Sequence, residues 1–345
     1  MPLKLQPLNA QVMVITGASS GIGLVTAREA AKRGAKVLLV ARGEAALREA
    51  VEGIVAAGGE ADYAVADVGE IAEVRAAADK AIARWGRIDT WVNDAGVVIY
   101  GKLADTPLDE HERLFRTNYF GVVNGALVAL EHLRGRGGAI VTVGSIVSDL
   151  AVPGQGAYSA SKHAVRGFIE ALRRELIAEG APVSVTLIKP SGIDTPITQH
   201  AANHFEDEAA LPPPVYDPAL VAEAILHAAE HPRRDMTVGG GGRAQVLFAE
   251  HFPGIVDRLS GLIMPILTDR SRSRTPGSSL FSAGTGGYER SGAQPARRTS
   301  LYTAAERHPG SAALVLAVGA VGVIGLLAGR RRNASGFGER RHRSW

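Results

Sequence analysis

Between residue 11 and about residue 238, short β-branched runs alternate with longer stretches of helical period, and this alternation restricts the architecture more than any other feature. A strand, a helix and a further strand in that order form a crossover unit. Such units set consecutive strands parallel and bury both faces of the sheet under helices. Strands are expected at 12–16, 36–41, 63–66, 90–93, 139–144, 183–188 and 236–238, and helices at 22–33, 44–57, 71–84, 108–134, 158–179 and 219–229. Seven strands of this kind predict a doubly wound α/β domain with a seven-stranded parallel sheet, whose ligand sits at the carboxyl ends of the strands. The polar, proline-rich stretch 194–218 follows the sixth strand directly and reads as a loop or partly helical lid.

The turn after the first strand reads TGASSGIG from Thr16 and leads into the first helix. In that setting Gly17 permits a tight turn, Gly21 lets the backbone approach a pyrophosphate, and Gly23 lets helix and sheet pack closely. Gly17, Ser19, Ser20, Gly21, Ile22 and Gly23 are therefore candidate cofactor contacts. The second strand ends at Ala41 and Arg42, where a dinucleotide site meets the adenosine ribose. An acidic residue there would favour NAD(H). Arg42 offers a forked cation to a 2′-phosphate, so NADP(H) is expected over NAD(H), a surface arginine being the other reading.

Ser145, Tyr158 and Lys162 stand thirteen and four residues apart. One helical turn separates the last two, so they share a face. A free phenol has a pKa of about 10, too high for an efficient base at neutral pH, and a neighbouring ammonium favours the phenolate. Lys162 is thus expected to lower the pKa of Tyr158. Ser145, closing the fifth strand, is placed to hydrogen-bond a substrate oxygen. Singly, the three would pass for a helix-start aromatic, a solvated lysine and a turn cap.

With NDAG at Asn93, Asn118 inside RTNYFG, and YSASK from Tyr158, the chain resembles the short-chain dehydrogenase/reductase family over residues 8–238. The resemblance implies a Rossmann-like fold and hydride transfer between a nicotinamide cofactor and a carbonyl or secondary alcohol. It further implies a tetrad of Asn118, Ser145, Tyr158 and Lys162, with Asn118 supporting a proton relay. Lys162 would contact the nicotinamide ribose, Asp67 and Val68 of ADV the adenine, Asn93 the cofactor loop, and Thr195 the carboxamide. A homodimer or homotetramer through the helices carrying Asn118 and Tyr158 is implied too. Two positions depart from the family: Asp94 replaces an asparagine, which is expected to matter little, and Ser191 stands where glycine is common. A non-catalytic NADP(H)-sensing protein of the same fold is the alternative, though it has little need of a Tyr158–Lys162 pair.

Charge divides the chain. Residues 1–268 carry 25 Lys/Arg against 31 Asp/Glu, whereas 269–345 carry 13 against 4. An acidic body argues against a nucleic-acid partner. The absence of cysteine excludes disulfides and thiolate sites, and the scattered histidines suggest no metal. No apolar leader precedes the first strand, so a cytoplasmic catalytic domain at 1–268 is expected. Residues 269–311, rich in Ser, Gly and Arg, read as a flexible basic linker. Residues 312–329 hold no charge and precede an arginine-rich tail at 330–345. At about 1.5 Å per residue the apolar stretch would span about 27 Å, close to the roughly 30 Å hydrocarbon core, so a transmembrane or membrane-associated helix is expected. Six arginines in the tail favour a cytosolic end, while Arg297, Arg298 and Arg307 on the other flank weaken that asymmetry. A cytosol-facing enzyme tethered near lipophilic substrates reconciles tail and cofactor.

Overall fold

The computed structural model describes residues 3–284 and 286–307. Its frame is a parallel sheet of β1 (Val12–Thr16), β2 (Lys36–Ala41), β3 (Glu60–Val65), β4 (Thr90–Asn93), β5 (Gly138–Val143), β6 (Val183–Pro190) and β7 (Asp235–Val238). The strands lie in the order β7-β6-β5-β4-β1-β2-β3. The chain therefore lays strands outward from β1 in one direction, returns, and lays the rest in the other. Between β1 and β4 the direction reverses, which opens a crevice at their carboxyl ends.

Alternation along each strand feeds two cores. Met13 and Ile15 face one side with Val37 and Leu39, where α1 (Gly21–Lys32), α2 (Glu44–Ala56) and α7 (Pro218–Glu230) cover them. Val14, Leu38 and Trp91 face the other, beneath α3 (Ile71–Trp85), α5 (Gly121–Leu133) and α6 (Gly156–Ala178). The expected strands and helices are all present, most with ends moved by one to three residues.

The helix expected at 108–134 is divided. α4 (Leu108–Phe115) and α5 are joined through a π turn at Arg116–Phe120. The lid contains no helix: Ala202–Asn203 pairs with Ile99–Tyr100, and Val215–Tyr216 with Gly192–Ile193. Three consecutive prolines, Pro212 to Pro214, remove the N–H donors a helix needs.

The largest difference follows Leu267. Thr268–Ser273 forms a strand antiparallel to Asp207–Ala209, and residues 278–284 and 286–298 lie along the body as a strap. Leu280 is 1% exposed against Val97 and Leu114. Arg290 grips Asp217 with two bonds of 2.9 Å, and the Asp194 carboxylate accepts from the N–H groups of Ser291 and Gly292 at 3.1 and 3.2 Å. Polar composition conceals this because most of the bonds run through backbone groups, which every residue carries. The stretches 312–329 and 330–345 lie outside the described residues, and among the described residues no helix is long and apolar enough to cross a membrane.

Close approach of α5 to β4 depends on Gly125, where a Cβ would stand 2.1 Å from Asn93 Oδ1 and 2.7 Å from Trp91 Nε1. Gly125→Ala is expected to lower stability by about 1–3 kcal/mol, read as a fall in Tm by calorimetry; an unchanged Tm would show that this contact does not set the α5–sheet distance.

Candidate active site

The loops leaving β1 and β4 meet at the crevice. Gly17 has φ +71°, and a Cβ there would stand 2.8 Å from the Ala95 backbone. At Gly23 a Cβ would reach 2.5 Å from the Gly17 carbonyl oxygen and 2.9 Å from Asp94 Oδ2. Any side chain would thus push the turn off the second loop. Folded this tightly, the turn presents the start of α1 to a cavity of about 300 Å³. Arg42, Asp67 and Val68, Ser19, Ser20 and Ile22, and Ser145, Tyr158 and Thr195 all line this cavity. Leu150, Val152, Leu211 and Leu267 give its wall an apolar part.

α6 sets Tyr158 and Lys162 on one face, with the Lys162 ammonium 5.7 Å from the centre of the Tyr158 ring. Lys162 Nζ donates to the Val143 carbonyl at 2.9 Å, which ties α6 to the end of β5. Ser145 opens a single turn of 3-10 helix, its hydroxyl accepting from the Val147 N–H at 3.3 Å. Ser145 and Tyr158 line the same cavity.

Electrostatics here differ from expectation. Desolvation pushes the Tyr158 phenol up to about 12, the nearby Ser145 hydroxyl opposing the rise and Asp94 adding to it. Desolvation also brings Lys162 down to about 8 against the pull of Asp94. Asp94 itself is pushed up to about 7 by loss of hydration, with the Lys162 ammonium and the Gly23 N–H opposing. Dehydration is the largest influence on Tyr158, and the Lys162 charge is not among the causes that shift it. Nor is Asp94 a minor change: where the family resemblance leads one to expect a neutral amide, it sets an ionisable group beside the lysine.

Asn118 sits buried in the π turn. Its amide accepts from the Val97 N–H at 2.8 Å and donates to the Val97 carbonyl and Ser161 Oγ at 2.9 and 3.1 Å. Both amide N–H donors are thereby spent, so the side chain pins the segment after β4. Asn93 does not turn its side chain to the cavity; its Oδ1 accepts from the Trp91 indole at 2.9 Å, on the α5 side of the sheet. Ser191 is accommodated in place of glycine by donating to the Gly239 carbonyl at 2.9 Å. His204 pairs with Glu110 at 2.7 Å, and among the described residues no cluster of three His, Cys, Asp or Glu is suited to a metal.

Two features escaped the sequence reading. Asp67 is ion-paired with Arg113 of α4, which together with the Gly69 N–H outweighs desolvation and holds the carboxyl below its usual range. The strap forms part of the cavity wall through Ser279, Ala283 and Gly284. It also takes up Arg42, whose guanidinium donates to the carbonyls of Leu280 at 3.3 Å, Ser282 at 2.9 Å and Ser279. No local pattern links position 113 to 67, or the strap to Arg42.

Among the described residues, the buried Thr117 hydroxyl in this wall lacks a protein partner. An unpaired buried hydroxyl in a cavity that the glycine turn also lines suits a polar, phosphate-bearing ligand.

A short chain dehydrogenase family model matches residues 11–206. The uncharacterized oxidoreductase YxnA of Bacillus subtilis (strain 168) is 43% identical over 335 residues, covering 95% of this chain and 93% of that protein. Such coverage takes in the strap. Among solved structures, a short chain dehydrogenase/reductase from Burkholderia phymatum in complex with NAD is similar at TM-score 0.66 and 27% identity, over 73% of this chain and 96% of that one. An alcohol dehydrogenase from the archaeon Thermococcus sibiricus, complexed with 5-hydroxy-NADP, is similar at TM-score 0.58 and 25% identity, over 66% of this chain and 95% of that one.

Asp94→Asn removes the charge that favours the ammonium and disfavours the phenolate. Lys162 is expected to titrate below its native value of about 8, and Tyr158 below about 12. NMR of side-chain-labelled lysine and tyrosine reads both; unmoved titrations would detach Asp94 from the pair.

Proposed function

Because the chain belongs to the short chain dehydrogenase family, an oxidoreductase fold with a nicotinamide cofactor is its starting point, and we propose that it interconverts a carbonyl compound and a secondary alcohol using NADP(H). The observation that carries this reading is that Ser145, Tyr158 and Lys162 line one cavity, with Tyr158 and Lys162 on the same face of α6. A nicotinamide, when bound, supplies or takes up the hydride. Gly17, Ser19, Ser20, Gly21, Ile22 and Gly23 would hold its phosphates, Asp67 and Val68 its adenine side, Lys162 the ribose and Thr195 the carboxamide.

In this reading Ser145 orients the substrate oxygen and Tyr158 moves the proton at that oxygen. A phenol held near 12 stays protonated at neutral pH. That state suits donation to the oxygen of a carbonyl being reduced, and the same phenolic oxygen accepts the proton in the reverse direction. Lys162 stabilises the phenolate left behind. Asn118, whose amide N–H donors are committed, would serve the relay through its main chain, where the π turn alters the carbonyl pattern. Arg42 would meet the 2′-phosphate of NADP(H) as a bidentate cation.

Dissociation constants for NADPH and NADH, with a panel of carbonyl substrates, test the scheme. Arg42→Ala is expected to weaken NADPH by about 10–100-fold, and Tyr158→Phe to lower kcat by about 10²–10⁴-fold. Cofactor binding with no turnover on any carbonyl or alcohol would favour the sensing protein instead.

A membrane-proximal setting belongs to the same reading. Phe252, Ile255, Leu259, Leu262 and Ile266 recur at helical spacing on the exposed side of the helix Pro253–Ile263 and its flanks, and that helix buries none of its residues. Together with the uncharged stretch 312–329 this supports a lipophilic substrate met at a bilayer. Full-length protein is expected to float with vesicles of phosphatidylcholine and phosphatidylglycerol, and Leu259→Glu/Leu262→Glu to reduce that recovery; protein left wholly in the dense fraction would remove the membrane from the scheme.

A further inference from the structure

The cavity wall contains a cation whose hydrogen-bond partners are all neutral. Arg42 is half-buried, its pKa lowered by desolvation and by the neighbouring Arg113, with the charge of Asp67 opposing. Among the described residues no carboxylate lies within ion-pairing distance of its guanidinium, since Asp67, the nearby acid, is engaged by Arg113. What satisfies Arg42 is the strap, through three backbone carbonyls. Arg113 Nε donates to one of the same carbonyls, that of Leu280, at 3.0 Å. Neutral oxygens are the weaker partners for a partly dehydrated guanidinium, and a phosphate dianion forms shorter, charge-assisted and bidentate bonds with it.

The carbonyls do not close the cavity. Asp67, Val68 and Thr117 line it together with Ser279, Ala283 and Gly284 of the strap. The other anchors do not touch Arg42: the Gly21 N–H, on the turn assigned to the phosphates that both cofactors share, donates to the Tyr288 carbonyl at 2.9 Å, and Arg290 and Ser291 reach Asp217 and Asp194. A ribose with a free 2′-hydroxyl makes no demand on Arg42. A 2′-phosphate does, and meets it only where residues 279–282 have let go.

We propose that the strap is a cofactor-selectivity element: the carbonyls of Ser279, Leu280 and Ser282 compete with a 2′-phosphate for Arg42, so that NADP(H) undocks residues 279–282 and NAD(H) leaves them in place. This rests on the reading of Arg42 as the phosphate ligand. The docked strap lowers the apparent affinity for NADP(H) by the fraction of molecules in which Arg42 is free, and leaves that for NAD(H) unaltered. Leu280, buried in a cluster with Val97, Ile99, Leu114, Ala157 and Ala202, is the apolar side chain that holds the competing carbonyls in position.

Hydrogen exchange on the full-length protein, read by mass spectrometry, tests the movement. NADPH is expected to raise exchange across residues 279–284, and NADH to leave it unchanged; protection by NADPH would make the strap a lid and overturn the proposal. Leu280→Ala is expected to tighten NADPH about fivefold or more and to move NADH by less than about twofold. Equal tightening of both, or no change for NADPH, would overturn it. Arg290→Ala, which loosens the strap away from the apolar core, provides the same comparison should Leu280→Ala fail to fold. Arg42→Ala separates the two claims: unchanged NADPH affinity would end the phosphate reading itself, whereas weakened NADPH with an unmoved strap would end this proposal alone.

Discussion

Everything at the candidate site depends on how closely two loops approach where the sheet reverses direction. The turn after β1 and the segment after β4 touch backbone to backbone at Gly17 and Ala95, with no room for a Cβ between them. That contact orients the start of α1 toward the crevice and sets Asp94 beside Gly23. Asn118 pins Val97 from the other side, so three elements distant in sequence hold one short stretch of chain. The cavity is built around this stretch, and small residues at 95 and 96 keep it narrow.

Dehydration then sets the chemistry. Tyr158, Lys162 and Asp94 are each moved toward their neutral forms, and their mutual interactions only moderate that tendency. A site organised this way holds its proton on the phenol unless positive charge arrives. Asp94 works against the phenolate and for the ammonium at once, which makes it the group through which the pair is balanced.

Much of this was legible in sequence because it was local or periodic. The alternation of short apolar runs with stretches of helical period predicted the seven-stranded parallel sheet and the helices on its two faces. The glycine turn and the Tyr158–Lys162 spacing carry their geometry within eight residues. What escaped reading lacked such a signal. Arg113 meets Asp67 across 46 residues. Asn93 belongs to a recognisable motif, yet strand alternation turns its side chain to Trp91 and away from the cavity. The π turn at Asn118 changes hydrogen bonding without changing residue type. The strap was taken for a linker because its bonds use carbonyls and N–H groups, which a sequence does not distinguish from those facing water. The influence of Asp94 depended on depth of burial, which a motif comparison does not measure.

The strap also has a place in time. Ser279 lies 237 residues beyond the arginine it contacts, and the last strand of the sheet ends at Val238. During synthesis the whole sheet, with Arg42 bare at its edge, therefore leaves the ribosome before the segment that will cover that arginine is made. A nascent chain meets dinucleotide in a form the finished protein attains only by displacing part of itself.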